Sequence, residues 1–204
     1  EITSDNRVQF HRVANTLNYL DIKTVIVSCG TCMDQLQKYE FEKIFPGCRL
    51  LDIHEYLMEK GVRMEGISGQ QYMYHDPCHS PMKTYDSLDV TKTLMNKDVT
   101  LNDRCCGESG TFSISRPDIA TQVKMRKQEE IEKGVSEINV SNNSPVKILT
   151  SRPSCRQGHS RYGEETDTTS DYIVVELAKN NLGDQWLEEY IEKATNGGIE
   201  KILL

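Results

Sequence analysis

The sequence has no long apolar run. Its densest aliphatic stretches, Val25-Ile26-Val27 and Ile173-Val174-Val175, fall far short of the roughly 18 or more residues that cross a bilayer, which excludes an integral membrane helix. A secretory signal pattern is also missing, and the expected location is the cytoplasm. Positive charge is scarce: 24 Lys and Arg stand against 31 Asp and Glu, a formal charge of −7. Nonspecific nucleic-acid binding depends on neutralising phosphates with basic side chains, so no nucleic-acid partner is expected. There is no flavin-binding motif and no substrate site with a paired acid and base, so turnover by this chain alone is not expected. What remains is 204 residues, 37% hydrophobic and 27% charged, with a mean hydropathy of −0.57. That composition supports one large domain or two small ones with a real core. The chain opens at Glu1 without an initiator Met, and its first residues already read as the approach to a helix. The expectation is a piece of a longer polypeptide.

Cysteine, by contrast, is abundant. Seven are present, at Cys29, Cys32, Cys48, Cys78, Cys105, Cys106 and Cys155. An odd number containing an adjacent pair fits poorly with ordinary bridging, because neighbouring cysteines rarely both find partners at correct geometry. Metal or cluster ligation, or thiol redox chemistry, is the better reading. Cys48 follows Phe45-Pro46-Gly47 with no polar motif around it and reads as a small buried hydrophobe.

Along the chain, Phe10, Val13, Ala14, Leu17 and Leu20 recur at helical spacing, which predicts a helix over residues 6–20. Thr24 to Val27 reads as a buried strand, with Cys29-Gly30-Thr31-Cys32 directly behind it and a helix continuing through Met33, Leu36 and Tyr39 to Phe45. Asp52 caps a helix to about Lys60 that Gly61 ends. Strands are expected over 71–75, 99–101 and 146–150, and helices from Pro117 to Lys133, from Pro153, over 171–181 and over 184–194. Residues 137–145 read as a polar loop, and Gly197-Gly198 as a break before 199–204. The Lys124–Lys133 stretch reads as a solvated helix face, and the stripe Trp186, Leu187, Tyr190, Ile191, Ala194 as core. Strands alternating with helices give an α/β class: two Rossmann-like units with mainly parallel sheets. An internal repeat relates them. Val25 to Tyr39 aligns with Ile148 to Tyr162, placing Ser28 on Ser151, Cys32 on Cys155 and Tyr39 on Tyr162. In the second copy Arg152 stands where the first has Cys29.

In α/β proteins, strand ends followed by helix starts are where sites assemble. A helix N-terminus favours the thiolate, and Gly30, Gly107 and Gly110 let backbone N–H groups approach sulfur. Cys78, Cys105, Cys106 and Cys155 supply four thiolates from three such loops, the usual count for an iron–sulfur cluster or a closed zinc site. The side chains of Cys105 and Cys106 diverge, which favours contact with two metal atoms over chelation of one. His75 and His79 flank Cys78 as hydrogen-bonding partners of its loop, and Asp76 caps the turn.

Two phrases, Tyr74-His75-Asp76-Pro77-Cys78-His79 and Cys105-Cys106-Gly107-Glu108-Ser109-Gly110-Thr111, resemble the cysteine-rich CCG domain. That domain occurs in tandem in the cysteine-rich component of heterodisulfide reductase and in the iron–sulfur subunits of glycolate- and lactate-oxidising enzymes. The resemblance implies that residues 1–68 are the C-terminal part of a first such domain, closed by Cys29 and Cys32 with its earlier cysteines before Glu1. Residues 69–204 would be a second, near-complete domain whose metal ligands are Cys78, Cys105, Cys106 and Cys155. It further implies a 4Fe-4S type cluster, with FAD held elsewhere in the full-length protein. Electrons would pass from a 2-hydroxy acid such as glycolate or lactate towards a quinone or other acceptor. The partners would be upstream flavin and ferredoxin-like regions, and a membrane would be met only peripherally. Arg152 departs from the family pattern, leaving four thiolates for one cluster or a zinc ion. Two other readings stand beside this one: a structural zinc or partner-docking module, and a thiol–disulfide protein using Cys29 and Cys32.

Overall fold

The computed structural model describes residues 2–19, 21–65, 69–108, 112–138 and 145–197. Gly110, most of the expected polar loop (139–144) and the stretch 198–204 lie outside the described residues. The chain begins with α1 (Ile2–Tyr19) and β1 (Thr24–Val27), whose β-branched run favours a strand. Then come α2 (Gly30–Lys38) and α3 (Phe41–Ile44). The single helix expected to Phe45 is broken at Glu40, whose φ of 55° lies in the left-handed region. β2 (Arg49–Asp52), not anticipated from the sequence, pairs parallel with β1, Thr24 opposite Arg49 and Val27 opposite Asp52. Asp52 opens α4 (Ile53–Glu59) with a capping box: its carboxylate accepts from the His54 N–H at 2.8 Å, and Glu55 reaches back to the Asp52 N–H. Cys48 is buried with Ala14, Ile44 and Phe45 in a small core of its own.

The larger sheet starts with β3 (Tyr72–His75). It continues through α5 (Ser87–Met95), β4 (Thr100–Leu101), α6 (Phe112–Ser115), α7 (Pro117–Ile138), β5 (Val146–Thr150), α8 (Pro153–Ser160) and α9 (Gly163–Thr166). β6 (Thr168–Tyr172), α10 (Ile173–Leu182) and α11 (Trp186–Gly197) follow. Its strands lie in the order β4-β3-β5-β6, every pairing parallel. Both faces are covered, as a parallel sheet requires. Tyr72, Tyr74 and Leu149 pack on one side with Val90, Leu94 and Ile173, while Met73, Val146 and Ile148 pack on the other with Ile131 and Tyr162. The class is therefore α/β with parallel sheets. The runs β1-α2-α3-β2-α4 and β5-α8-α9-β6-α10 follow one order of elements.

Three expectations are corrected. Asp171 and Tyr172 end β6, and the helix starts only at Ile173, because the main chain there bonds to β5. α7 runs on to Ile138, and its charge-rich face is not wholly solvated: Lys127 and Ile131 are fully buried. The α11 stripe is not core. Leu187, Tyr190 and Ile191 are exposed, since among the described residues little packs over that helix.

The two sheets meet across a polar seam. The Tyr172 hydroxyl donates to the Ser28 carbonyl at 3.0 Å, and His79 pairs with Asp34 at 2.6 Å. The buried Glu55 carboxylate accepts the N–H groups of Thr84 and Tyr85 at 2.7 and 2.9 Å. Parallel strands put their C-terminal ends on one edge, so the loops behind β3, β4 and β5 lie side by side.

Candidate metal centre

Those loops carry the cysteines. Cys78 follows β3, Cys105 and Cys106 follow β4, and Cys155 sits in the first turn of α8 behind β5. Their thiols act on one another's titration in sequence, Cys78 with Cys105, Cys105 with Cys106, and Cys106 with Cys155. All seven cysteines are free thiols; Cys78 and Cys105 are exposed, Cys106 and Cys155 buried. The four cysteines expected from the sequence thus lie on neighbouring loops at one edge of the sheet. Cys29 and Cys32, at the start of α2, act on each other's titration in the same way.

Cys155 is held below the ordinary thiol range chiefly by the Cys106 thiol, against burial and with help from the Arg152 guanidinium. For Cys106 the Cys105 thiol pulls down, but the Cys155 thiol and burial outweigh it and raise the pKa to about 11. The Cys106 thiol and burial also push Cys105 up, although the Gly107 N–H lies 3.3 Å from its sulfur. Gly107 adopts a φ of 78°, a conformation that glycine reaches without strain and that aims its N–H at that sulfur. Cys29 is opposed by burial yet lowered, because N–H groups of Cys32 and Thr31, the Cys32 thiol and Arg152 all favour its thiolate.

Arg152 therefore serves both groups of cysteines. It stands at the N-cap of α8 and donates to the Thr31 hydroxyl at 2.9 Å, and its charge acts on Cys29, Cys78 and Cys155. Arg104 and Arg156 pair instead with Glu130 and Asp171.

Of the other groups at the centre, only His75 carries a sequence signal, through its place three residues before Cys78. A ring nitrogen of His75 and the sulfurs of Cys106 and Cys155 all lie within 4.8 Å of one another, every residue buried. The His159 ring stands edge-on to His75 with centroids 4.4 Å apart. Burial, and then the Lys127 charge, hold His75 down to about 3, and burial likewise holds His159 far below its usual range. Both imidazoles are neutral. Nε2 of His75 and both nitrogens of His159 are buried without a hydrogen-bond partner, at a cost of about 1–3 kcal/mol for each group left so. Gly158 of α8 packs so close that a Cβ there would sit 3.2 Å from Cys106 Sγ and 3.0 Å from Glu108 Cβ. Four convergent thiols, unsatisfied buried nitrogens and a glycine-cleared flank fit an inorganic centre that accepts hydrogen bonds through sulfur. The same three donors, His75, Cys106 and Cys155, belong to the ligand types of a zinc site.

Residues 72–157 match the family described as the cysteine-rich domain, CCG, and residues 160–204 match one described as a domain of unknown function, DUF3400. The chain is 30% identical over 99 residues to the glycolate oxidase iron-sulfur subunit of Escherichia coli, covering 46% of this chain and 24% of that protein. It is 26% identical over 165 residues to one of the subunits of the fumarate reductase (CoM/CoB) of Methanothermobacter marburgensis, covering 76% and 31%. An uncharacterized iron-sulfur protein of Methanococcus maripaludis is 28% identical over 123 residues, covering 56% and 24%. The chain thus spans about a quarter to a third of the length of these relatives. No solved structure matches it significantly. Among the described residues, no helix is long and apolar enough to cross a membrane.

Proposed function

Residues 72–157 belong to the CCG cysteine-rich domain family, and from that we propose that the chain is the iron–sulfur electron-transfer part of a larger oxidoreductase. The observation that carries the reading is the row of four thiols, Cys78, Cys105, Cys106 and Cys155, at the ends of three adjacent parallel strands. These four residues hold the cluster, of the 4Fe-4S type, and when bound it supplies one-electron transfer. The chain's own part is to present sulfur, to point the Gly107 N–H at Cys105 and to offset negative charge with Arg152.

Residues 69–204 form one such domain and residues 1–68 the end of another, in which Cys29 and Cys32 serve the equivalent site. Support for two copies comes from the shared order of elements. The N-caps Cys29 and Arg152 also have nearly the same backbone, φ/ψ of −138°/120° and −136°/123°. The similarity to the iron-sulfur subunit of a glycolate oxidase supports a flavin-linked enzyme acting on a 2-hydroxy acid, with flavin and ferredoxin-like regions as partners.

The test is anaerobic iron and acid-labile sulfide analysis of the full-length protein beside its Cys106→Ser variant. Stoichiometric iron and sulfide in the first and their loss in the second are expected. A reconstituted protein that never binds iron overturns the reading, and zinc without iron favours the structural module, for which His75 with Cys106 and Cys155 is the specific observation.

A further inference from the structure

Lys127 is the only charged group among the described residues buried to 0% on α7, in the middle of a run whose other charged side chains are exposed or half-buried. Its ammonium group has three hydrogens and three acceptors: His75 Nδ1 at 3.3 Å, the Asn102 carbonyl at 3.2 Å and the Asp103 carbonyl. Two of the three are main-chain oxygens that can only accept, which leaves a lysine hydrogen for His75 Nδ1, where the Asn102 carbonyl also lies within reach. A neutral imidazole that accepts at Nδ1 carries its proton at Nε2. That atom is buried and has no partner, while the ring lies against the sulfurs of Cys106 and Cys155.

We propose that Lys127 and His75 form a donor relay: the lysine fixes the imidazole with its proton on Nε2, and that N–H is given to sulfur on the Cys106–Cys155 side of the cluster. His75 is on this account a positioning and tuning residue, not a metal ligand, since Nε2 holds a proton instead of a free lone pair. The inference rests on the iron–sulfur reading above. Its physical consequence follows from charge. The reduced centre carries one more negative charge than the oxidised one, and a fixed N–H dipole stabilises the reduced form more, so the relay raises the reduction potential.

The test is a redox titration followed by EPR on the full-length, anaerobically reconstituted protein, with iron analysis in parallel. His75→Leu removes the donor, and His75→Gln keeps an N–H at similar reach. His75→Leu is expected to lower the reduced-to-oxidised ratio at fixed potential about tenfold, equivalent to about 59 mV for a one-electron couple, while His75→Gln stays near wild type. Lys127→Met is expected to lower the potential too, and by less in a His75→Leu background than alone. Pulsed EPR of the wild type should lack the strong nitrogen coupling of a directly bound imidazole.

Wild-type protein without iron defeats the iron–sulfur reading itself, a result separate from the rest. Full iron and an unchanged potential in His75→Leu overturn the relay. So does strong nitrogen coupling in the wild type. Should His75→Leu lose its iron, His75→Gln decides: wild-type iron and potential support the relay, and loss of iron there as well overturns it. Equal effects of Lys127→Met in both backgrounds overturn the lysine's part.

Discussion

Gly30→Ala is the substitution that most directly strains the arrangement of the two sheets around the cysteines. Gly30 is the first residue of α2, sits between Cys29 and Thr31, and is buried. An added Cβ would overlap the His79 carbonyl oxygen and lie 2.8 Å from its carbon and 3.3 Å from Pro81 N. Carbon atoms are comfortable at about 3.5–4.0 Å, and every obstacle here is main chain that cannot rotate away. The loop is also tethered, by Asp34 to His79 at 2.6 Å and to Lys83 at 3.1 Å. Inserting a methyl into a filled site costs about 1–3 kcal/mol, and rigid backbone puts this case at the upper end. Alanine returns about 1 kcal/mol in helix propensity. The net loss of about 2 kcal/mol corresponds to a fall of about 4–8 °C in Tm for a chain of this size. Urea and thermal denaturation measure it, with Gly69→Ala, where nothing lies within 4 Å of the new Cβ, as the control. A Gly30→Ala protein with the control's midpoint would refute the account of how α2 and the Cys78 loop fit together.

Gly158→Ala should keep the fold and lose bound iron, because its Cβ presses on Cys106 at 3.2 Å; wild-type iron content in that variant counts against the centre's placement. In metal-free protein, Cys29 should be alkylated ahead of Cys32, since its pKa is lowered and that of Cys32 raised; peptide mapping after brief labelling near neutral pH checks it, and equal rates would contradict it. Stability of the metal-free protein should fall on acidification. His75 stays neutral in the fold down to about 3, whereas the unfolded chain takes the proton near 6.5. Its contribution is full above 6.5 and is lost as pH drops towards 3. At about 1.4 kcal/mol per pH unit, the loss between 6.5 and 5 is about 2 kcal/mol. His159 acts in the same direction. Urea melts of wild type and His75→Gln across that range test this, with a shallower slope expected in the variant and an identical slope arguing against it.

Much of the fold is legible in the residues. The β-branched and apolar runs at 24–27, 72–75 and 146–150 mark the strands, and Asp52 and Pro117 mark helix starts, because these signals act over a few residues and need no distant partner. Where such signals are weak, the reading fails. β2 is four residues long, and β6 reads Thr-Thr-Ser-Asp-Tyr, with nothing to separate it from the helix behind. α11 has an apolar stripe, but a stripe announces only that a face is apolar, not that anything covers it.

The sequence alone determined the α/β class and the loops that carry sulfur, since residue type and short-range order decide both. The surroundings of the sulfurs were settled only in three dimensions. Lys127 sits among charges that look like any wetted helix face, and it is buried because α7 packs across the ends of β3 and β4. His75 and His159 meet through strand pairing between positions far apart in the chain. Burial and hydrogen-bond partnership are properties of a neighbourhood, and residues distant in sequence become neighbours only when the sheet forms.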